Sequence, residues 1–203
     1  MIDARRGILT PGFIDLHGHG GGGGGYSYSD GLAALSSALA THRAHGTTRS
    51  VLSLVSGPLE ELVEQLVAIA DFTEGDPLVL GSHLEGPFLS PRQRGAHDSE
   101  FLRAPDATVV TRLITAARGT LRQLTIAPEL PNASESIQIL TEAGVTGCFL
   151  ANVATLDQIW AVSLSLSKCV WAGSQLRDSR GRALIFVKRP RFSAAPMRVA
   201  ALG

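Results

Sequence analysis

A parallel α/β fold is predicted by three features of this 203-residue sequence. Short β-rich runs alternate with longer amphipathic stretches, glycine or proline marks most of the boundaries, and the alternation repeats four times at roughly regular spacing. Strands separated by helices in this way pair in parallel through right-handed crossovers, as an open doubly wound sheet or as part of a (β/α)8 barrel.

The elements follow in order. "GFIDLH" (Gly12 to His17) reads as a buried strand and "LAALSSALATHRAHG" (Leu32 to Gly46) as a helix stopped by glycine. "TTRSVLSLVS" (Thr47 to Ser56) carries the β-branched residues of a second strand. "PLEELVEQLVAIADF" (Pro58 to Phe72) opens on proline and sets Leu62, Leu66 and Ile69 on one helical face. "LVLGSHLE" (Leu78 to Glu85) is the third strand, followed by a loop from Gly86 to about Ala104. A helix over Asp106 to Arg118 is expected to use Asp106 as its cap. "LRQLTIAPE" (Leu121 to Glu129) is the fourth strand, and Asn132 to Gly144 is a helix with an asparagine cap and a glycine stop. Beyond Val145 the rhythm weakens. "TGCFLANV" suits a fifth strand, and the serine-rich "ATLDQIWAVSLSLSKCVWAG" (Ala154 to Gly173) a fifth helix. From Gln175 the text is basic, with only "ALIFV" suited to a strand, and a loosely ordered or surface-docked tail is expected. The boundary between the patterned region, 1–150, and a divergent tail, 151–203, falls there.

Composition narrows the function classes. Lys plus Arg and Asp plus Glu number 18 each, so no overall charge recommends nucleic acid or an anionic membrane as partner. No window of about 18 apolar residues occurs, and the N-terminus lacks the apolar core of a signal peptide. Cys148 and Cys169 are the only cysteines, with no C-x-x-C spacing, which suits a reducing cytoplasm.

The chemistry-bearing residues begin at "PGFIDLHGHGGGGGG". A lone histidine at a strand end is ordinarily a satisfied structural residue. His17 and His19, one residue apart, instead point to the same side of a strand and can reach a common cation. Imidazole pairs suit divalent transition metals such as zinc. Glu85 ends an apolar strand, and parallel β/α proteins gather functional groups at the carboxyl ends of their strands, so Glu85 is expected on the same rim. His83, two residues earlier, shares that strand's face and receives no ligand role. The six glycines, Gly20 to Gly25, lack the Lys-Ser/Thr of a P-loop and the spaced G-x-G-x-x-G of a dinucleotide fold, and are read as a flexible rim loop.

These motifs carry a family resemblance. "LTPGFIDLHGHG" resembles the first barrel strand of the amidohydrolase superfamily, while "HLEGPFL" followed by "SPRQRGAHD" resembles the N-acetylglucosamine-6-phosphate deacetylases within it. "LTIAPE" is similar to the next strand of that family, and the resemblance runs from about Leu9 to Gly144. It implies a partial TIM-type (β/α)8 barrel of the amidohydrolase kind, comprising the first four to five βα units, with an irregular C-terminal tail. It further implies a divalent metal, zinc first with Fe, Co, Mn or Cd as alternatives, bound by Glu85, with His17 and His19 matching the pair that completes a second metal position in some members. Ala96 and His97 match a loop that contacts the amino sugar, the histidine polarising the acetyl carbonyl. The implied reaction is removal of the acetyl group from N-acetyl-D-glucosamine 6-phosphate by metal-activated water, the amino-sugar phosphate being the small-molecule partner. Family members commonly pair as homodimers.

The sequence departs from the family in its second half. His97 is the last histidine in the chain, whereas the family takes further metal-binding histidines from the fifth and sixth strands and a catalytic aspartate from the eighth. Ala151 or Asn152 stands where the fifth-strand histidine belongs, the text around Ala172 lacks the next, and Asp157 and Asp178 follow no suitable strand. No general base or acid is therefore assigned, and a truncated or frame-disrupted deacetylase is expected. Two rivals remain: an inactive remnant that pairs with another chain, and another cyclic-amide amidohydrolase. "HLEGPF" with "GAHD" separates the second from the deacetylases.

Overall fold

The computed structural model describes residues 10–26 and 30–149, together with the short strands at 169–171, 184–186 and 199–201. Strand β1 (Phe13–Gly18) is followed by a two-residue pair, β2 (Gly20–Gly21) and β3 (Gly24–Gly25), and then by helix α1 (Gly31–Ala44). Next come β4 (Thr47–Val55), α2 (Leu59–Gly75), β5 (Val79–Glu85), α3 (Ala107–Ala116), β6 (Leu121–Ile126), α4 (Ala133–Glu142) and β7 (Thr146–Phe149). The remaining strands are β8 (Cys169–Trp171), β9 (Leu184–Phe186) and β10 (Val199–Ala201). The main sheet has six strands in the order β1-β4-β5-β6-β7-β8, all parallel, so each neighbour in the sheet is the next main strand in the chain. That order is the one a barrel needs and a doubly wound sheet does not have.

The pleat sorts the strand residues into two faces. Leu52, Leu54, Leu84, Leu124 and Ile126 are buried with Leu39, Leu62, Leu66, Leu113, Ile137 and Leu140 of the helices, forming the core on the helical side. The alternate residues Ser53, His83, Glu85, Gln123 and Thr125 turn the opposite way and make a polar inner face. On α2, Leu62, Leu66, Ile69 and Ala70 are buried, the i, i+4, i+7, i+8 stripe its sequence encodes.

The sheet is strongly curled. Gln123 Nε2 on β6 donates to the carbonyl of Leu16 on β1, at 2.6 Å, although two strands lie between them. Three strand spacings on a flat sheet would be about 14 Å, beyond the reach of a glutamine side chain. The inner face is therefore a bowl.

Several expectations need correction. β1 was expected to be buried, yet Phe13, Ile14 and Leu16 are 67%, 60% and 53% exposed. It is the edge of the sheet, with β4 as its one sheet neighbour. Asp106 caps α3 as expected, accepting from the amides of Thr108 and Val109. Asn132 does not cap α4 by its side chain: it takes a left-handed conformation, φ 60°, and its amide donates to the carbonyl of Pro105. Of the helix expected over Ala154 to Gly173, residues Cys169–Trp171 instead form β8, paired in parallel with β7, and the others lie outside the described residues. β-branched Val170 and aromatic Trp171 favour that choice. The tail contains an antiparallel pair, β9 with β10, the first covering most of "ALIFV". The rest of the tail, with Asp157 and Asp178, lies outside the described residues.

The glycine run is built rather than loose. β2 and β3 form an antiparallel pair, Gly20 opposite Gly25 and Gly21 opposite Gly24. A Cβ on Gly24 would lie 2.3 Å from the carbonyl oxygen of Ala34, and one on Gly22 2.1 Å from Thr41 Oγ1, both on α1. His42 of the same helix hydrogen-bonds the Gly20 carbonyl at 2.9 Å. The loop lies flat on α1 because it has no side chains.

Gly81 imposes a sharper demand inside β5. Its φ is +136°, and a Cβ there would sit 1.9 Å from the backbone oxygen of Thr120. Gly81→Ala is expected to cost at least about 2 kcal/mol of unfolding free energy. Urea titration checks this, and a loss below about 0.5 kcal/mol would show that β5 and β6 do not meet as described.

Candidate metal centre

His17 reaches the inner face because β1 is bulged. Asp15 lies opposite Ser50 and Gly18 opposite Leu52, three residues of β1 against two of β4. A bulge re-aims side chains and frees backbone groups from the ladder. Here the amide of His17 donates to Asp15 Oδ1 at 3.1 Å, and the carbonyl of Leu16 is the one that receives Gln123.

Three side chains then converge. His17 Nε2 and His19 Nε2 are 3.0 Å apart, and Glu85 Oε2 lies 3.5 Å from the first and 3.1 Å from the second. These are the three residues that group as ligands able to hold a metal ion. A tetrahedral ion with bonds of about 2.0–2.2 Å separates its ligand atoms by about 3.3–3.6 Å. The observed spacings need only a few tenths of an ångström of adjustment, so two imidazoles and a carboxylate fit a divalent cation in both chemistry and geometry.

The protonation state of one ligand is set by its neighbour. His19 Nδ1 is 3.2 Å from the carbonyl oxygen of Ser53, which can only accept, so Nδ1 carries the proton and the Nε2 lone pair faces the cluster. The same serine supports His83. His83 Nδ1 is 3.0 Å from Ser53 Oγ and Nε2 is 2.8 Å from Thr125 Oγ1, which leaves neither nitrogen for a cation. Its ring meets that of His17 edge-on, at 5.0 Å between centroids. Burial, followed by the neighbouring His17, pushes the His83 imidazole down to about 4, so it is a neutral spacer behind the cluster at pH 7.

Glu85 divides its two oxygens. Oε2 faces His17 and His19, while Oε1 lies 3.9 Å from His97 Nε2. The carboxyl is held down to about 2, chiefly by the His97 imidazole, against the opposing effect of burial and with help from His17 and His19. At 3.9 Å that influence is electrostatic rather than a formed hydrogen bond. The structure thus brings together His17, His19, Glu85 and His97. Ala96 is exposed beside them on the loop after β5.

Sequence reasoning missed Ser53, Ser56, Gln123 and Thr125. A signal for two of them was present: Ser53 in "SVLSLVS" and Thr125 in "LRQLTI" are polar residues inside apolar runs, in register with His83 and Glu85. Gln123 could not have been paired with Leu16, because that contact depends on the curl.

The sequence and fold have counterparts among known proteins. No family model matches the chain. Human N-acetylglucosamine-6-phosphate deacetylase is 37% identical over 169 residues, covering 76% of this chain and 40% of that protein. The crystal structure of N-acetyl-D-glucosamine-6-phosphate deacetylase from Mycobacterium smegmatis superposes with a TM-score of 0.75 at 40% identity, over 79% of this chain and 42% of the other. The chain is related to the N-acetylglucosamine-6-phosphate deacetylases. A variant of the mycobacterial deacetylase, matched equally well, was solved in complex with N-acetyl-D-glucosamine-6-phosphate. The chain spans about two fifths of the length of the deacetylases it matches. Its sheet corresponds to part of the fold of those deacetylases, with the His/Glu cluster at the carboxyl ends of the first and third main strands.

Both shifted groups make acid destabilising in metal-free protein. The folded pKa of His83 lies below its ordinary 6.5, so the unfolded chain takes up that proton first and stability falls as pH drops from about 6.5 to about 4. Glu85 adds a second loss between its ordinary 4.5 and about 2. In chelator-treated protein the upper limb is expected to be worth about 3 kcal/mol, and His83→Gln, which does not titrate, should flatten it. Chemical denaturation across this pH range tests the pair; a wild-type profile level down to pH 4.5 would refute the buried neutral imidazole.

Proposed function

We propose that this chain carries the metal-binding part of a deacetylase that hydrolyses N-acetyl-D-glucosamine 6-phosphate to D-glucosamine 6-phosphate and acetate. The observation that carries the reading is the convergence of His17 Nε2, His19 Nε2 and Glu85 Oε2 within 3.5 Å of one another, with His97 against the other carboxylate oxygen. The relationship to the deacetylases supplies the substrate, and the donor set favours zinc among divalent ions.

When bound, the cation supplies water activated near neutral pH and polarises the amide carbonyl. The residues of this chain do the rest of what is assigned here. Glu85 is ionised at all working pH values and offers Oε2 to the cation. His17 and His19 present neutral Nε2 lone pairs, the second held in place by the Ser53 carbonyl. His97 stands next to this group with its side chain 11% exposed, placed to stabilise charge on the acetyl oxygen. Ala96, exposed beside it, lets the sugar approach the loop without obstruction.

Several other groups fix the orientation. A cavity of about 280 Å³ opens beside His19, lined by Tyr26, Asp30, Ser53, Glu61 and Phe101 among others. Its two carboxylates repel an anion, so the phosphate end of the substrate points away from it. The general base and acid is not assigned to a residue of this chain. A homodimer and a cytoplasmic location complete the reading. Among the described residues no helix is long and apolar enough to cross a membrane.

Two measurements on the purified chain test the proposal. Zinc is expected to bind at one equivalent, and Glu85→Gln or His19→Ala to weaken it by more than the about 10–100-fold that outer-sphere partners are worth. Acetate release from N-acetyl-D-glucosamine 6-phosphate is the second readout. Zinc binding unaffected by either substitution would refute the metal centre, whereas zinc binding with no acetate released would favour the inactive remnant.

A further inference from the structure

We infer that Ser56 is a positioning residue that locks His97 in the Nε2-protonated tautomer, so that the edge of the ring beside Glu85 is a hydrogen-bond donor. The inference rests on the proposed deacetylase site for its purpose but not for its geometry.

Ser56 ends the strand run of β4 and is 8% exposed. It joins two other parts of the site. Its backbone N–H donates to His97 Nδ1 at 3.3 Å, and its hydroxyl oxygen lies 3.0 Å from the same nitrogen and 3.2 Å from the carbonyl oxygen of Glu85, so its single proton goes to one or the other. The seat for that hydroxyl is made by Gly86, where a Cβ would stand 2.2 Å from Ser56 Oγ on a backbone of φ +87°. Ser56 therefore ties the end of one strand to the end of the next and to the loop that carries His97.

The two contacts to Nδ1 do not constrain His97 equally. A hydroxyl can rotate to give or take a proton, but a backbone N–H can only donate. An N–H aimed at Nδ1 requires a lone pair there, so the ring proton resides on Nε2. The competing arrangement sends Nδ1–H to Ser56 Oγ and the hydroxyl proton to Glu85. It points two N–H groups at each other and leaves the Ser56 amide unsatisfied in a buried position.

The consequence falls on the other ring nitrogen. Nε2 faces Glu85 Oε1 from 3.9 Å, at the edge of the metal group. With its proton there, His97 can donate to an oxygen brought between them and cannot accept from one. Its role in the proposed reaction is then that of an electrophilic donor to the acetyl oxygen, and it does not take the proton from water.

Long-range 1H–15N correlation of imidazole-labelled, full-length protein at mildly alkaline pH reads the tautomer without any need for turnover or metal. His97 is expected to show an unprotonated Nδ1 and a protonated Nε2. The excess over the other form should be at least about fivefold, the ratio that one neutral hydrogen bond made in one form and lost in the other implies. Ser56→Ala keeps the amide and is expected to retain that tautomer while the ring gains a second orientation. A protonated Nδ1 in the wild type, or a tautomer that switches in Ser56→Ala, would overturn the inference and assign control to the hydroxyl. Neither result bears on whether acetate is released, so the failure of this inference and the failure of the deacetylase reading are separately visible.

Discussion

The curl of the parallel sheet is the constraint on which the site depends. Without it, β1 and β5 would present His17, His19 and Glu85 along a shallow surface, and the three could not close to within 3.5 Å. Two local devices hold the curl at its open edge. A bulge in β1 turns the His17 segment toward the concave side, and Gln123 reaches across from β6 to the carbonyl that the bulge sets free. Among the described residues β1 has no neighbour on its outer side, so its bulged segment is held by a side chain where an interior strand would be held by a second ladder.

Behind the site, the polar inner face is satisfied chiefly by short side chains. Ser53 serves two histidines at once, by its carbonyl to His19 and by its hydroxyl to His83, and Thr125 completes the row. A buried neutral imidazole flanked by hydroxyls adds bulk and rigidity without adding charge. The carboxylate of the site, Glu85, has two oxygens that face different partners.

Much of this was legible from residue order. The strands and helices up to Val145 follow from periodicity, glycine stops and the Asp106 cap because each is a local effect. The pairing of His17 and His19 with Glu85 was also legible, since strand ends of parallel β/α proteins meet on one rim. What escaped was whatever depended on the third dimension. The exposure of Ile14 and Leu16 is a property of being at the sheet edge, and an apolar run alone does not reveal its place in the strand order. Asn132 has the right residue type for a cap but is drawn off to Pro105. Cys169–Trp171 could be read as helix until its strand partner, β7, was in place.

The glycine run shows the largest gap between appearance and structure. It looks like low-complexity text, yet its members are not interchangeable: Gly20 faces the backbone of Gly24, Gly21 the ring of His42, Gly22 the hydroxyl of Thr41, Gly24 the backbone of Ala34 and Gly25 the carboxylate of Asp30. Only Gly23, at the tip, has open space. Adding or removing one glycine would change which residue of the run meets each of these neighbours. The count of glycines is thus a length standard, spacing His19 from the helix that anchors the loop.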